Sequence, residues 1–290
     1  MKNTVPKVAA IHDLSGYGRG SLMSIIPTLS AMGIQVCPLP TAILSNHTGG
    51  FEFYSYVDLT DRMEEYISMW RRLELQFDCI YSGFLGSPRQ IGIVADFIDW
   101  FGRADNLTVV DPVMGDNGEL YSAFTPAIIP EMRRLVHKAN LITPNITEAA
   151  FLLERDCPAR LSDAEVKEWL VRLAELGPNI VVMTSVPDPG YENNTNVVAY
   201  DRQNDSFWKV GCRYIPAEYP GTGDTFTSVL IGSLLNGDCL PIALDRGVQF
   251  IAQCIKASYG FNYPKRDGVL LEKELGILNL PVLISGYEML

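Results

Sequence analysis

The chain has few of the residues that build metal centres or disulfide frameworks. Its 290 residues include three histidines, His12, His47 and His137, whose spacing matches no zinc site. The six cysteines, at positions 37, 79, 157, 212, 239 and 254, contain no C-x-x-C pair. We therefore expect buried thiols rather than a disulfide framework. A bound metal ion is expected to have oxygen ligands.

Long apolar runs and an excess of positive charge are also missing. No run approaches the ~18 apolar residues of a membrane span, and no signal-peptide core follows Met1–Lys7, so we expect a cytoplasmic protein. The net charge of −11 argues against non-specific binding to nucleic acid or to an anionic membrane. An acidic protein can still bind ATP if local groups or a metal ion supply positive potential. Because no Gly-Lys dipeptide occurs, a P-loop is not expected.

Short apolar runs alternate with longer amphipathic segments along most of the chain. The runs predict strands at about 8–12, 35–39, 79–82, 108–111, 141–143 and 180–184. The segments predict helices at about 20–32, 60–74, 88–103, 125–138, 147–154, 162–176, 224–236 and 240–259. This alternation is typical of an α/β fold with a mostly parallel central sheet covered by helices on both faces. Two polar strands near 195–213 predict an antiparallel hairpin, and no linker divides the chain, so we expect one domain over 1–290.

The segment Gly221-Thr222-Gly223-Asp224 is the strongest chemical signal in the sequence. It precedes the apolar run 225–231, so it predicts a flexible turn that leads into a helix with a carboxylate in its first turn. Such a helix N-terminus offers N–H groups to a phosphate, and the aspartate could accept a proton from an attacking hydroxyl. The pattern also fits an ordinary turn whose aspartate only complements the helix dipole. The tetrapeptide alone does not decide between these interpretations.

Polar residues also follow three of the predicted strands. They are Asp111 to Asp116, Thr143 to Glu148, and Thr184-Ser185. Since ligands bind at the carboxyl ends of parallel strands, we expect these residues at one edge of the sheet. Asp116 and Glu148 could hold Mg²⁺, directly or through water. Taken singly, Asp116 also fits a turn before Asn117-Gly118 and Glu148 the first turn of a helix, but their joint placement with Asp224 favours a phosphate site.

The loop after the first strand suggests a competing function. Gly16-Tyr17-Gly18-Arg19-Gly20-Ser21 is close to the dinucleotide fingerprint G-x-G-x-x-G of NAD-dependent oxidoreductases. However, Ser21 stands where the third glycine belongs, and the strand 35–39 carries no acidic residue for a ribose. The sequence therefore favours phosphoryl transfer over dinucleotide binding.

Taken together, the motifs resemble those of the pyridoxal kinases, which belong to the ribokinase-like superfamily. The likeness runs from about Val8 to Tyr259. Its pieces are Tyr17-Gly18, Leu44-Ser45-Asn46-His47-Thr48-Gly49, Ser82-Gly83-Phe84-Leu85-Gly86, Asp111-Pro112-Val113-Met114-Gly115-Asp116, Thr143-Pro144-Asn145 with Glu148, Val182-Met183-Thr184-Ser185 and Gly221-Thr222-Gly223-Asp224.

The resemblance implies ATP-dependent phosphorylation of the 5′-hydroxymethyl group of pyridoxal, pyridoxine or pyridoxamine. It implies that Asp224 is the general base and that the N–H groups of Gly221, Thr222 and Gly223 form an anion hole. It implies nucleotide contacts from Asn145, Thr184, Ser185, Thr222 and Gly223, Mg²⁺ at Asp116 and Glu148, and a monovalent cation, K⁺ or Na⁺, at Asp111, Thr143 and Thr184. The implied substrate contacts are Asp13, Tyr17, Leu44, His47, Thr48, Phe84, Tyr121 and Asp224. A homodimer is also implied.

Two positions depart from the pattern of the family. This chain has Asp13 where the family usually has a serine, and Phe84 where the family usually has a tyrosine. A carboxylate at position 13 could pair with an amine or a protonated ring nitrogen, which favours pyridoxamine over pyridoxal. Phe84 leaves hydroxymethylpyrimidine open as an alternative acceptor. A binding protein that has lost turnover is a further alternative, although Asp116, Glu148 and Asp224 are all kept.

Overall fold

The computed structural model describes residues 5–188, 194–212, 219–281 and 285–290. The chain divides into two compact units. The first unit contains the part of the chain before Tyr81 and residues 215–285, and the second contains residues 81–214 and 286–290. The expectation of one domain over 1–290 stays a prediction.

Strands and helices alternate through most of the described chain, as the sequence pattern predicts. The strands are β1 (Lys7–Ser15), β2 (Gln35–Leu44), β3 (Tyr56–Asp58), β4 (Cys79–Ser82), β5 (Leu107–Val110), β6 (Gly115–Asp116), β7 (Glu119–Leu120), β8 (Leu141–Ile142), β9 (Ile180–Pro187), β10 (Thr195–Asp201), β11 (Ser206–Cys212) and β12 (Tyr287–Met289). The helices are α1 (Leu22–Ala31), α2 (Thr60–Arg72), α3 (Pro88–Phe101), α4 (Ile128–Val136), α5 (Ile146–Leu153), α6 (Asp163–Glu175), α7 (Thr222–Leu235) and α8 (Leu240–Tyr259). Short 3₁₀ helices follow at Lys265–Asp267, Leu271–Lys273 and Leu275–Asn279.

The first unit is built on the parallel pair β1 and β2. The strand β3 adds to β2 in antiparallel orientation. Residues 8–11 of β1 are fully buried because this strand is apolar on both faces. Helix α1 packs on β1 and β2, and α7 packs against α1 and α8. This packing fixes the end of β1 and the start of α7, where the sequence places its candidate residues.

The second unit contains the parallel strands β5, β8 and β9. The strands β10 and β11 form the antiparallel hairpin that the sequence predicts, and β12 pairs with β11. Helices α5 and α6 pack on the β9 side of this sheet. Residue 213, the expected last position of the hairpin, lies outside the described residues. The α/β class, the mostly parallel sheet and the hairpin are therefore confirmed.

Several boundaries differ from the sequence expectation. The strand β2 continues to Leu44 through Pro38 and Pro40, two residues that normally argue against a central strand. The strands β3, β6, β7 and β12 are each two or three residues long and give too little periodic pattern to be predicted. The expectation of buried thiols holds for Cys79 and Cys254, whereas Cys239 is exposed. In the described chain, no helix combines the length and apolar character that a membrane crossing requires.

Candidate functional site

The start of α7 has the geometry that its glycines predict. Gly221 precedes the helix with φ 78°, in the left-handed region that favours glycine. A Cβ atom at Gly221 would lie 2.0 Å from the carbonyl oxygen of Arg19, so a larger residue cannot occupy this position without displacing the loop. The first N–H groups of α7 have no acceptor within the helix, and its positive end favours an anion. The predicted turn that leads into a helix is thus confirmed.

Asp224 lies in the first turn of α7 with its side chain only 17% exposed. One carboxylate oxygen accepts a hydrogen bond of 2.8 Å from the backbone N–H of Ser21. The other lies 4.0 Å from Nδ1 of the fully buried His12. Burial, opposed by the hydrogen bond from the Ser21 N–H and reinforced by the charge of Asp13, raises the pKa of Asp224 to about 6. A carboxyl with this pKa is ionised at neutral pH and is basic enough to accept a proton.

Asp13 lies inside β1 and is 6% exposed. At this position the register of β1 against β2 shifts, because one residue of β1 faces two residues of β2. The Asp13 carboxylate accepts hydrogen bonds from the hydroxyl groups of Ser21 at 2.5 Å and Ser15 at 3.2 Å. Burial raises the pKa of Asp13, whereas the two hydroxyl groups and the nearby His47 lower it. The site therefore holds a second buried carboxylate, which shares the hydrogen-bond donor Ser21 with Asp224.

His47 is fixed by the protein through both ring nitrogens. Nε2 lies 2.7 Å from the carbonyl oxygen of Arg266, and Nδ1 accepts a hydrogen bond of 3.1 Å from the N–H of Gly49. This pattern assigns the proton to Nε2 in the neutral ring. Burial lowers the pKa of His47, which keeps the ring neutral at physiological pH.

The aromatic surroundings of His47 include two further predicted contacts. The ring of Phe51 meets His47 edge to face at 5.0 Å, and the Tyr17 ring lies 6.0 Å from Phe51. The Tyr17 hydroxyl donates to the Asp267 carboxylate at 3.0 Å. Thr48 is exposed and Leu44 is buried. Tyr17, Leu44, His47 and Thr48 therefore belong to the same unit as Asp13 and Asp224.

In the second unit, Glu148 forms a reciprocal capping box with Asn145 at the start of α5. The Glu148 carboxylate accepts hydrogen bonds from the backbone N–H groups of Asn145 at 2.9 Å and Met114 at 3.0 Å. The Asn145 side chain accepts from the Glu148 N–H and donates to the carbonyl of Gly115. Glu148 is 3% exposed, and burial followed by the charge of Asp111 raises its pKa well above the usual range. Glu148 thus caps the helix and also places a second carboxylate near Asp111.

Asp116, Tyr121 and Phe84 lie on more accessible parts of this unit. Asp116 is exposed at the start of a tight turn, where its carboxylate accepts from the N–H of Asn117. Tyr121 is 40% exposed, and its N–H donates to the carbonyl of Met114. The half-buried Phe84 packs against Phe124 with the ring centres 5.3 Å apart. The turn interpretation of Asp116 therefore holds, and it leaves the carboxylate accessible.

Thr184 and Ser185 occupy a bulge in β9. Between Met183 and Val186, two residues of β9 face one residue of β10. Ser185 is exposed with φ 57°, and the Thr184 N–H donates to the carbonyl of Pro144 at 2.9 Å. The prediction that the strand ends at Thr184 is wrong, since β9 continues to Pro187.

The carboxylates of the second unit fit a cation only with help from other ligands. Among the residues that the structure describes, no cluster of three or more His, Cys, Asp and Glu side chains is suited to a metal ion. Asp111 and Glu148 are buried together and their charges repel, which a cation between or beside them would relieve. Mg²⁺ commonly binds one or two carboxylates and completes its shell with phosphate oxygens and water. The donor set therefore fits Mg²⁺ that arrives with a phosphate.

Ser21 is the residue of this region that sequence reasoning missed. It contacts both Asp13 and Asp224, although Asp224 lies 203 positions away along the chain. The sequence pattern showed Ser21 only as a departure from a glycine fingerprint. No local signal could have shown its two carboxylate partners.

Known proteins with similar sequences and folds carry kinase names. The model of the phosphomethylpyrimidine kinase family matches residues 24–269. A Bacteroides thetaiotaomicron protein, provisionally named a phosphomethylpyrimidine kinase, is 54% identical to this chain. Its crystal structure in the orthorhombic form with pyridoxal aligns over 99% of this chain and 100% of the Bacteroides chain, with a TM-score of 0.96. The pyridoxal kinase of Lactobacillus plantarum is 30% identical with a TM-score of 0.87, over 95% of this chain and 97% of its own. The pyridoxal kinase of Leifsonia xyli is 30% identical over 75% of this chain and 77% of its own.

Proposed function

We propose that this chain, which belongs to the pyridoxal kinase family, transfers the γ-phosphoryl group of ATP to the 5′-hydroxymethyl group of a vitamin B6 vitamer. Its relatives are phosphotransferases that act on an alcohol group, and this chain is a phosphotransferase of the same kind. The proposal of this substrate and mechanism rests on one observation, the environment of Asp224. A carboxylate with a raised pKa, in the first turn of a helix that follows a glycine turn, suits proton removal beside a phosphate.

The first unit supplies the groups for proton transfer and charge stabilisation. Asp224 accepts the proton of the hydroxymethyl group, whose oxygen attacks the γ-phosphorus. The bond between that phosphorus and the bridging oxygen of ADP breaks, and ADP leaves. The N–H groups of Gly221, Thr222 and Gly223 act as the anion hole, because they are preorganised and need no reorganisation during the reaction. Catalysis here rests on positioning and electrostatics.

The second unit supplies groups for the nucleotide and its cations. The proposed contacts of the nucleotide phosphates are Asn145, Thr184, Ser185, Thr222 and Gly223. Glu148 and Asp116 would hold Mg²⁺, and Asp111, Thr143 and Thr184 would hold a monovalent cation, K⁺ or Na⁺. The cations neutralise phosphate charge when bound. The buried, mutually repelling pair Asp111 and Glu148 supports this assignment.

The acceptor ring contacts Tyr17, Leu44, His47, Thr48, Phe84 and Tyr121 in this proposal. Because both nitrogens of His47 bind backbone groups, His47 contributes ring surface rather than a hydrogen bond to the acceptor. Phe84 contributes an apolar face that is already ordered against Phe124. The buried Asp13 pairs with a cationic group of the acceptor.

The role of Asp13 gives a first prediction. We expect kcat/KM for pyridoxamine to exceed that for pyridoxal, and Asp13→Ser to reduce this ratio by about tenfold, the value of one charge-assisted hydrogen bond. Steady-state kinetics with both acceptors at saturating Mg·ATP measures the ratio. An unchanged ratio in Asp13→Ser would show that Asp13 does not select the acceptor.

The second candidate function is phosphorylation of hydroxymethylpyrimidine. The match to the phosphomethylpyrimidine kinase family favours it. The protein is incubated with Mg·ATP, a potassium salt and each B6 vitamer or hydroxymethylpyrimidine separately, and phosphorylated products are identified by mass spectrometry. Product from B6 vitamers supports the first proposal. Product from the pyrimidine alone supports the second, and binding without any product supports a non-catalytic protein.

We also propose that the protein is a homodimer, which sedimentation equilibrium tests.

A further inference from the structure

Ser21 connects the two buried carboxylates of the first unit. Its hydroxyl group donates to Asp13 at 2.5 Å, and its backbone N–H donates to Asp224 at 2.8 Å. Asp13 receives a further hydroxyl from Ser15, whereas Ser21 is the donor that both carboxylates share. One residue therefore fixes the orientation of both acidic side chains.

Helix capping does not account for this serine. Ser21 immediately precedes α1, a position where serine commonly accepts a hydrogen bond from the helix N–H groups. Here its side chain makes no capping hydrogen bond and binds Asp13 instead. Its backbone has φ 47° and ψ −134°, a conformation that residues other than glycine rarely adopt. A structural role alone would be served better by glycine, which occupies this position in the dinucleotide fingerprint.

We propose that Ser21 is a positioning residue for the phosphoryl transfer: its hydroxyl group fixes the carboxyl group of Asp13, and its backbone N–H fixes the carboxylate of Asp224. This inference rests on the proposed function of the same site. The two contacts use different atoms of Ser21, so they can be separated by substitution. Removal of the hydroxyl group leaves the N–H bond to Asp224 in place.

The hydroxyl group acts on Asp224 only through Asp13. The Ser21 hydroxyl lowers the pKa of Asp13, and the Asp13 charge raises the pKa of Asp224. Among the described residues, the other titratable groups that face this pair are His12, beside Asp224, and His47 and Tyr56, which interact with Asp13. Loss of the hydroxyl group makes Asp13 easier to protonate, which weakens its repulsion of Asp224. The base then stays ionised at lower pH.

The test compares the acidic limb of kcat/KM against pH in Ser21→Ala, Asp13→Asn and the double variant. We expect Ser21→Ala to move the limb to lower pH by less than Asp13→Asn does, because it weakens the Asp13 charge and does not remove it. For Asp13→Asn we expect a shift of ~0.5 unit. We expect the double variant to show no further shift, because Ser21 acts through Asp13. Ser21→Gly, which relieves the backbone strain, is expected to move the limb as Ser21→Ala does. An unmoved limb in both Ser21 variants, or additive shifts in the double variant, would overturn the proposal.

A second measurement separates this inference from the proposed function. The carboxyl ¹³C signals of Asp13 and Asp224 are titrated in the free protein and in Ser21→Ala. We expect a higher Asp13 pKa and a lower Asp224 pKa in the variant, whether or not the acceptors tested are phosphorylated. If the wild-type protein phosphorylates no B6 vitamer, the proposed function fails while this titration still decides the role of Ser21. Unchanged titrations in an active enzyme refute the Ser21 inference alone.

Discussion

Asp224→Asn should make the protein more stable and nearly inactive. The Asp224 carboxylate is desolvated, and its pKa rises from the ordinary value of 3.8 to about 6. The folded state therefore binds this proton more tightly than the unfolded state. That contribution to stability is complete below about pH 4 and is lost as pH rises through about 6. At neutral pH the native protein contains a carboxylate that disfavours folding.

The expected gain follows from this difference in pKa. A change from 3.8 to about 6 corresponds to about 3 kcal/mol at neutral pH. Because 17% of the side chain remains exposed, we expect Asp224→Asn to stabilise the protein by between about 1 and 3 kcal/mol at pH 8. The asparagine oxygen can still accept the Ser21 N–H. Turnover should fall by about 10²- to 10⁴-fold, the usual contribution of a positioned base.

Urea unfolding of both proteins between pH 4 and 8, with kcat measured at pH 8, tests this reasoning. The stability difference should be close to zero near pH 4 and should grow until about pH 7. The affinity for ATP, measured by calorimetry, serves as the control and should be largely unchanged. A variant that is less stable than wild type at every pH would refute the desolvation argument. A variant with nearly normal turnover would show that Asp224 only complements the helix dipole.

Two further predictions use matched controls. Gly221→Ala should destabilise the protein by at least about 2 kcal/mol and reduce turnover, because the new Cβ atom meets the carbonyl of Arg19. The control is Gly33→Ala, where φ is nearly the same but no atom lies within 4 Å of the new Cβ atom. Thermal unfolding should show a cost of about 1 kcal/mol for this control. An equal loss of stability in the two variants would mean that the loop near Arg19 moves aside without an energetic cost. Glu148→Gln should raise the Mg²⁺ concentration required for half-maximal activity by about 10- to 100-fold. The control is Glu165→Gln, in the equivalent capping box of α6, which should leave this concentration unchanged. An unaltered Mg²⁺ dependence in Glu148→Gln would exclude Glu148 as a metal group.

The sequence predicted those features that depend on local pattern. The helix with Asp224 in its first turn, the first-turn position of Glu148 and the hairpin 195–201/206–212 all follow from residues close together in the chain. The bulge at Thr184 and Ser185 could not be predicted, because it arises from the register between β9 and β10. Short strands such as β3 also lack a periodic signal.

The contacts between distant segments were the main part that the sequence did not reveal. Nothing near Ser21 indicates that its N–H binds Asp224, since this bond spans 203 positions. The fixed ring of His47 depends on the carbonyl of Arg266, in a segment with no regular pattern. Such contacts follow from tertiary packing, which determines the orientation of a side chain but leaves no trace in local composition.

The most direct test of the central claim is a competition for phosphate in one mixture. Equimolar pyridoxal, pyridoxine, pyridoxamine and hydroxymethylpyrimidine are incubated with the protein, Mg·ATP and a potassium salt, and early products are quantified by mass spectrometry. We expect B6 5′-phosphates to carry nearly all of the transferred phosphate, and Asp224→Asn to form almost none. A product dominated by hydroxymethylpyrimidine phosphate, or no transfer to any acceptor, would contradict it.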